Sequence, residues 1–176
     1  LPAGTHKNEK ARSAIPSTPF LFVKSAYAER TAMTYDITLL TALKDAAHTA
    51  LAAAAAKSPT GATILALHGD LGAGKTAFVQ TLAAELGVTA TVTSPTFVVM
   101  KSYELEGAAW ERLVHIDTYR LEDVAEAGPL HLAELFLDPA NLICIEWAER
   151  ISELLPSSTT QLQFAVAADT RALTIS

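Results

Sequence analysis

An α/β fold with a mostly parallel central sheet and an antiparallel hairpin at its C-terminal edge is predicted by three observations. Short, continuous apolar runs at "TILALH" (63–68), "RLVHI" (112–116) and "LICIE" (142–146) read as strands buried on both faces. Helical periodicity precedes the first run and follows it. Near the end, "LQFAV" and "RALTI" alternate apolar and polar residues around "AADT", the pattern of a hairpin. Strands separated by helices belong in a layered sheet with helices on its faces.

Residues 1–33 stand outside this pattern. They carry Pro2, Pro16 and Pro19, scattered Ser and Thr, and one apolar patch, "FLFVKSAY", without a sustained period. They are expected to be a disordered extension. Their basic, Ser-containing character also suits a targeting peptide. A start assigned too far upstream is a further explanation, since Met33 is the first methionine. The domain itself is expected over 34–176.

From Tyr35, the residues Ile37, Leu40, Leu43, Ala47, Ala50, Leu51 and Ala54 recur at helical spacing, and "KSPTG" ends that helix. After the "TILALH" strand and a glycine-rich turn, "KTAFVQTLAAEL" places Phe78, Val79, Leu82 and Leu86 on one face, with Gly87 where a C-cap glycine belongs. "TFVVMKSY" (96–103) reads as a further strand. "LEDVAEAG" and "HLAELF" read as a polar, partly helical passage between the strands at 112–116 and 142–146.

Half of the 176 residues are apolar, enough for one full core. No apolar run approaches the roughly 20 residues of a membrane span. A single cysteine, Cys144, excludes an intramolecular disulfide and fits a reducing compartment, so a cytoplasmic protein is expected. The net charge is −6, and because residues 1–33 carry five basic and two acidic side chains, the remainder carries −9. Such an acidic body offers no obvious grip on a nucleic acid backbone.

The stretch Gly69-Asp70-Leu71-Gly72-Ala73-Gly74-Lys75-Thr76 satisfies G-x-x-x-x-G-K-[ST] in full, between a strand and an amphipathic helix. Glycines let backbone N–H groups turn inward on phosphates, and the helix start adds its positive end. Lys75 would reach the β- and γ-phosphates, and the Thr76 hydroxyl would ligate Mg²⁺. A three-layer P-loop NTPase-like fold follows, with ATP and Mg²⁺ as expected cofactors. The metal needs an acid at a neighbouring strand end. Asp117, after "LVHI", and Glu146, after "LICI", both have that placement, and spacing does not rank them. Thr93, Ser94 and Thr96 in "TSPTF" are candidates for a switch loop that senses the γ-phosphate.

Four stretches, "GDLGAGKT", "TSPTF", "HIDTYRLED" and "IEWAER", in this order and in so short a chain, resemble the TsaE (YjeE) family of small ATPases in tRNA threonylcarbamoyladenosine biosynthesis. The resemblance runs from about Tyr35 to the C-terminus. It implies a Mg²⁺-dependent ATPase, slow alone, that supports turnover of the TsaB–TsaD pair. That pair modifies the adenosine next to the anticodon in tRNAs reading codons that begin with A. On the family pattern Gly69, Gly72, Ala73, Gly74, Lys75, Thr76 and Ala77 hold the nucleotide, and Lys75 also offsets charge during reaction. Thr76 and Glu146 serve the metal, Asp117 is the catalytic acid-base or water-positioning residue, and "TSPTF" responds to the nucleotide. Thr170 would be the nucleotide contact from the final hairpin, although the turn departs from the family pattern, reading Asp169-Thr170-Arg171 where the family often carries Gly-Arg. The tRNA is reached only through the complex, and no membrane is involved.

Two other classes compete. One is a nucleotide-gated docking subunit with little hydrolysis, which the acidic body suits. The other is a small-molecule P-loop kinase, although no arginine-rich lid is visible. A GTPase would need an N-K-x-D guanine reader, which is missing from the sequence. Cys144, His115, Trp110 and Tyr103 read as packing residues and His68 as a strand-end residue. Trp147 is placed equally well in the core or beside a nucleotide or partner. His48 and His131 lack companions at metal spacing, and no zinc site is expected.

Overall fold

A computed structural model describes residues 32–58 and 60–176. The expectations for residues 1–31 fall outside that range. Met33, which the sequence reading left in the extension, opens the first strand.

Seven strands form one sheet in the order β1-β7-β6-β2-β5-β4-β3. The four central strands, β6 (Thr160–Ala167), β2 (Thr63–His68), β5 (Asn141–Glu146) and β4 (Arg112–Asp117), pair in parallel. β7 (Thr170–Ile175) folds back antiparallel on β6 as the expected hairpin. The opposite edge is also antiparallel, where β3 (Met100–Glu104) pairs with β4.

β2 and β5 are apolar between their end residues, and both of their faces are covered. Leu65, Leu67, Leu142 and Cys144 pack into one core beneath α1 (Leu40–Lys57) and α2 (Lys75–Glu85). Ile64, Ala66, Ile143 and Ile145 pack into a second core. That core is closed by a 3₁₀ segment at Val124–Leu130, by α3 (Leu132–Leu137) and by a kinked 3₁₀ segment at Ala148–Leu154. The result is the expected three-layer arrangement. Gly87 ends α2 as foreseen, with φ of 84° and its N–H on the Ala84 carbonyl at 3.1 Å.

Two boundaries differ from the sequence reading. The first helix starts at Leu40, and the preceding Met33–Asp36 is a strand, β1, antiparallel to β7 with Tyr35 opposite Leu173. Ile37 packs into the core outside the helix, while Leu40 is exposed. The break falls where the Asp36 carboxylate accepts from the Thr38 N–H at 3.0 Å. The strand foreseen at 96–103 begins only at Met100. Thr96–Val99 instead turn on Pro95, whose carbonyl accepts from the N–H groups of Val98 and Val99 at 2.9 and 2.6 Å. Phe97 and Val98 consequently face solvent.

Candidate nucleotide site

The turn between β2 and α2 is built on glycine conformations. Gly69, Gly72 and Gly74 have φ of 129°, 79° and 110°, a region that side chains disfavour. Gly69 has a second constraint, because a Cβ there would overlap the backbone carbonyl of Phe164 on β6. Gly74 directly precedes α2, whose first-turn N–H groups have no intrahelical acceptors and carry the positive end of the helix dipole.

Lys75 lies in the mouth of this turn and is only 4% exposed. Its ammonium donates to the carbonyls of Gly69 and Asp70 and sits 3.8 Å from the centroid of the Trp147 ring. Burial holds its pKa below the usual lysine value, against the opposing pull of Glu146, Glu149, Asp117 and Asp70. A poorly solvated cation in that position is ready to meet an anion entering the loop.

Thr76 and Glu146 meet directly, the hydroxyl donating to Glu146 Oε2 at 3.0 Å. The other carboxylate oxygen, Oε1, is 2.8 Å from His115 Nε2. Glu146 ends β5 and Asp117 ends β4, opposite each other in register. Asp117 accepts the hydroxyls of Ser94 and Thr96 on Oδ2 at 2.7 and 2.6 Å, and the Tyr119 N–H on Oδ1 at 2.9 Å. Two of the three foreseen switch-loop hydroxyls are therefore tied to Asp117. Thr93 takes a different partner, accepting from Lys101 Nζ at 2.6 Å.

Thr170 is not brought to this cluster by any bond. Its hydroxyl donates to the Ala167 carbonyl at 2.8 Å, closing its own hairpin. The neighbouring Arg171 approaches instead, its Cδ 4.0 Å from where a Gly74 Cβ would stand. A separate groove of about 450 Å³, lined by Met100, Arg112, Leu130 and Asp138 among others, shares no residue with the cluster.

A strand, a glycine turn bearing G-x-x-x-x-G-K-T, and a helix packed on a parallel sheet define the P-loop NTPase-like class. Within that class, a family model described as "Threonylcarbamoyl adenosine biosynthesis protein TsaE" matches residues 42–173. This chain belongs to the TsaE family. It is similar to the tRNA threonylcarbamoyladenosine biosynthesis protein TsaE of Bacillus subtilis (strain 168), 42% identical over 60% of this chain and 63% of the relative. A similar likeness links it to the TsaE protein of Rickettsia bellii (strain RML369-C), 32% identical over 77% of this chain and 90% of the relative. The matches span about six-tenths of the Bacillus and Synechocystis relatives, 63% and 58% of their lengths. The crystal structure of Bacillus subtilis YdiB superposes with a TM-score of 0.60 at 29% identity, covering 82% of this chain and 84% of that one.

Two residues at the centre of the cluster were given lesser parts by the sequence. His115 reads as one more interior residue because its neighbours on β4 are apolar, yet its ring reaches Glu146. Trp147 stands beneath Lys75, with the Tyr119 ring 5.0 Å away. Its position directly after the strand-end acid was the available signal. Cys144 is fully buried, and burial pushes its thiol pKa up, as suits a packing residue.

Proposed function

We propose that this chain is the Mg²⁺-dependent, ATP-hydrolysing subunit of tRNA threonylcarbamoyladenosine biosynthesis, acting in the cytoplasm with the TsaB–TsaD pair and reaching tRNA only through that complex. The observation that supports this best is the 3.0 Å bond between Thr76 and Glu146 beside the glycine turn. A hydroxyl and a carboxylate so placed match the few protein ligands of a nucleotide-bound Mg²⁺, which takes its other ligands from phosphate and water. Among the described residues there is no group of three or more His, Cys, Asp or Glu able to hold a metal alone. When bound, the ion would offset charge on the β- and γ-phosphates.

The chain's own residues would do the rest. The turn from Gly69 to Gly74 and the first amides of α2, through Ala77, would bind the phosphates. Lys75 would exchange its loop carbonyls for phosphate oxygens. Asp117 would orient the attacking water and accept its proton as the bond from the γ-phosphorus to the β–γ bridging oxygen breaks, giving ADP and phosphate. Its Oδ2 is held by Ser94 and Thr96, so a shift of that loop would free it.

The same grip favours a second reading, in which the nucleotide controls the loop for docking and turnover matters little. A small-molecule kinase finds less support, since Arg112 pairs with Asp138 at 2.7 Å and Arg150 donates to the Leu121 carbonyl at 2.7 Å. Mg²⁺-dependent ATP hydrolysis by the full chain, alone and with the TsaB–TsaD pair, tests the proposal. Slow turnover that rises on adding the pair is expected. ATP binding with no hydrolysis in either case selects the docking subunit.

A further inference from the structure

Glu146 divides its two oxygens between partners on different elements. Oε2 takes the Thr76 hydroxyl of α2 at 3.0 Å, and Oε1 lies 2.8 Å from His115 Nε2 on β4. A carboxylate oxygen accepts, so the bond between them is donated by the His115 Nε2–H. The ring is fully buried, and its Nδ1 has no hydrogen-bond partner. A buried polar atom left bare is costly. An apolar side chain would fill the same place beside Cys144, its register partner, without that cost. The ring's polar character is therefore spent on Glu146. The backbone below is pinned as well, with the Thr118 hydroxyl donating to the carbonyls of Glu146 and Trp147 at 3.0 and 2.7 Å.

We infer that His115 is a positioning residue for the cation site: its Nε2–H fixes the rotation of the Glu146 carboxylate so that the other oxygen stays beside the Thr76 hydroxyl. This rests on the reading of Thr76 and Glu146 as the metal pair. Removing the bond lets the carboxylate turn, and a cation must then pay to order it.

The test measures Mn²⁺ binding to the full chain by electron paramagnetic resonance, with a non-hydrolysable ATP analogue present, and separately the analogue's affinity without metal. His115→Gln places an amide N–H near the reach of Nε2, whereas His115→Asn stops near Nδ1, and His115→Leu offers no donor. Mn²⁺ affinity is expected to stay within about threefold of wild type for His115→Gln and to fall about tenfold for His115→Asn and His115→Leu, with metal-free analogue affinity unchanged. The Gln and Asn comparison decides the matter even where the Leu variant folds poorly. Equal Mn²⁺ affinity in the Gln and Asn variants overturns the inference, and so does a matching loss of metal-free analogue binding. Wild-type chain that binds the analogue but no Mn²⁺, and so behaves like Glu146→Gln, overturns the metal reading beneath it.

Discussion

Asp117 and Glu146 end neighbouring parallel strands opposite each other in register, yet their carboxylates are held from different sides, one by the loop hydroxyls of Ser94 and Thr96 and the other by Thr76 and His115. On the proposed function the two do different work. Asp117→Ala is expected to keep ATP binding and to lower partner-stimulated hydrolysis by about two orders of magnitude, the usual worth of a positioned acid-base group. It is also expected to speed amide hydrogen exchange through residues 93–99. Equal hydrolysis by wild type and variant, measured with the partners present, would remove Asp117 from the chemistry.

Gly69 is held by sterics as well as by φ. A Cβ there overlaps the Phe164 carbonyl, and φ is 129°. Gly69→Ala must move β6 away from the turn, so a loss of about 2 kcal/mol or more in urea unfolding is expected. Gly72→Ala meets nothing within 4 Å and has only its φ of 79° to resist it, so it should cost less. Equal losses for the two variants would mean that the Phe164 contact carries no weight.

How much was legible in the chain follows from the range of each interaction. The glycine turn, α2 and the buried strands show themselves through local spacing and continuous apolarity, and all of them stand where the sequence put them. β1 was hidden because a four-residue edge strand is defined by a partner far along the chain: Met33 pairs with Ile175. "TFVV" imitates a strand in composition, but Asp117 and the Pro95 carbonyl hold its flanks in a turn. Asp117 was read as a site residue, while its grip on that loop needs side-chain geometry. His115 was hidden for the opposite reason, since burial on an apolar strand looks the same in sequence whether or not the ring bonds a carboxylate.

Glu85 links α1 and α2, the two helices that cover one face of the sheet. Its carboxylate meets Lys44 at 2.8 Å and His48 at 3.1 Å, both on α1. The Lys44 hydrogen bond is the main reason its pKa lies below the ordinary glutamate value. A depressed carboxylate pKa contributes stability that is present above the unfolded value of 4.5 and is lost as pH falls through the lower folded value. Glu85→Gln should therefore cost about 0.5 kcal/mol at pH 7, the scale of a partly exposed pair. The difference from wild type should shrink as urea titrations move below pH 4.5. A gap that persists in acid would point to packing instead of charge.

On the proposed function, Lys75 and Trp147 would provide a direct readout of nucleotide entry. The ammonium lies 3.8 Å from the indole centroid, held there also by the Gly69 and Asp70 carbonyls. A phosphate entering the turn would draw the ammonium away, because a charged hydrogen bond outweighs a cation–π contact. Trp147 emission should then change on adding ATP. Trp110, buried and bonded through Nε1 to the Thr63 hydroxyl at 2.9 Å, should stay constant. Trp147→Phe keeps an aromatic face under the lysine and removes the reporter, so it should bind ATP within about threefold of wild type without the signal, consistent with the roughly 1 kcal/mol worth of such contacts. Lys75→Ala should weaken ATP binding at least about tenfold, through loss of a charged phosphate contact worth about 1.5–3 kcal/mol. An emission change that survives Trp147→Phe would place the moving group elsewhere in the chain and break the proposed link between the lysine and the phosphate.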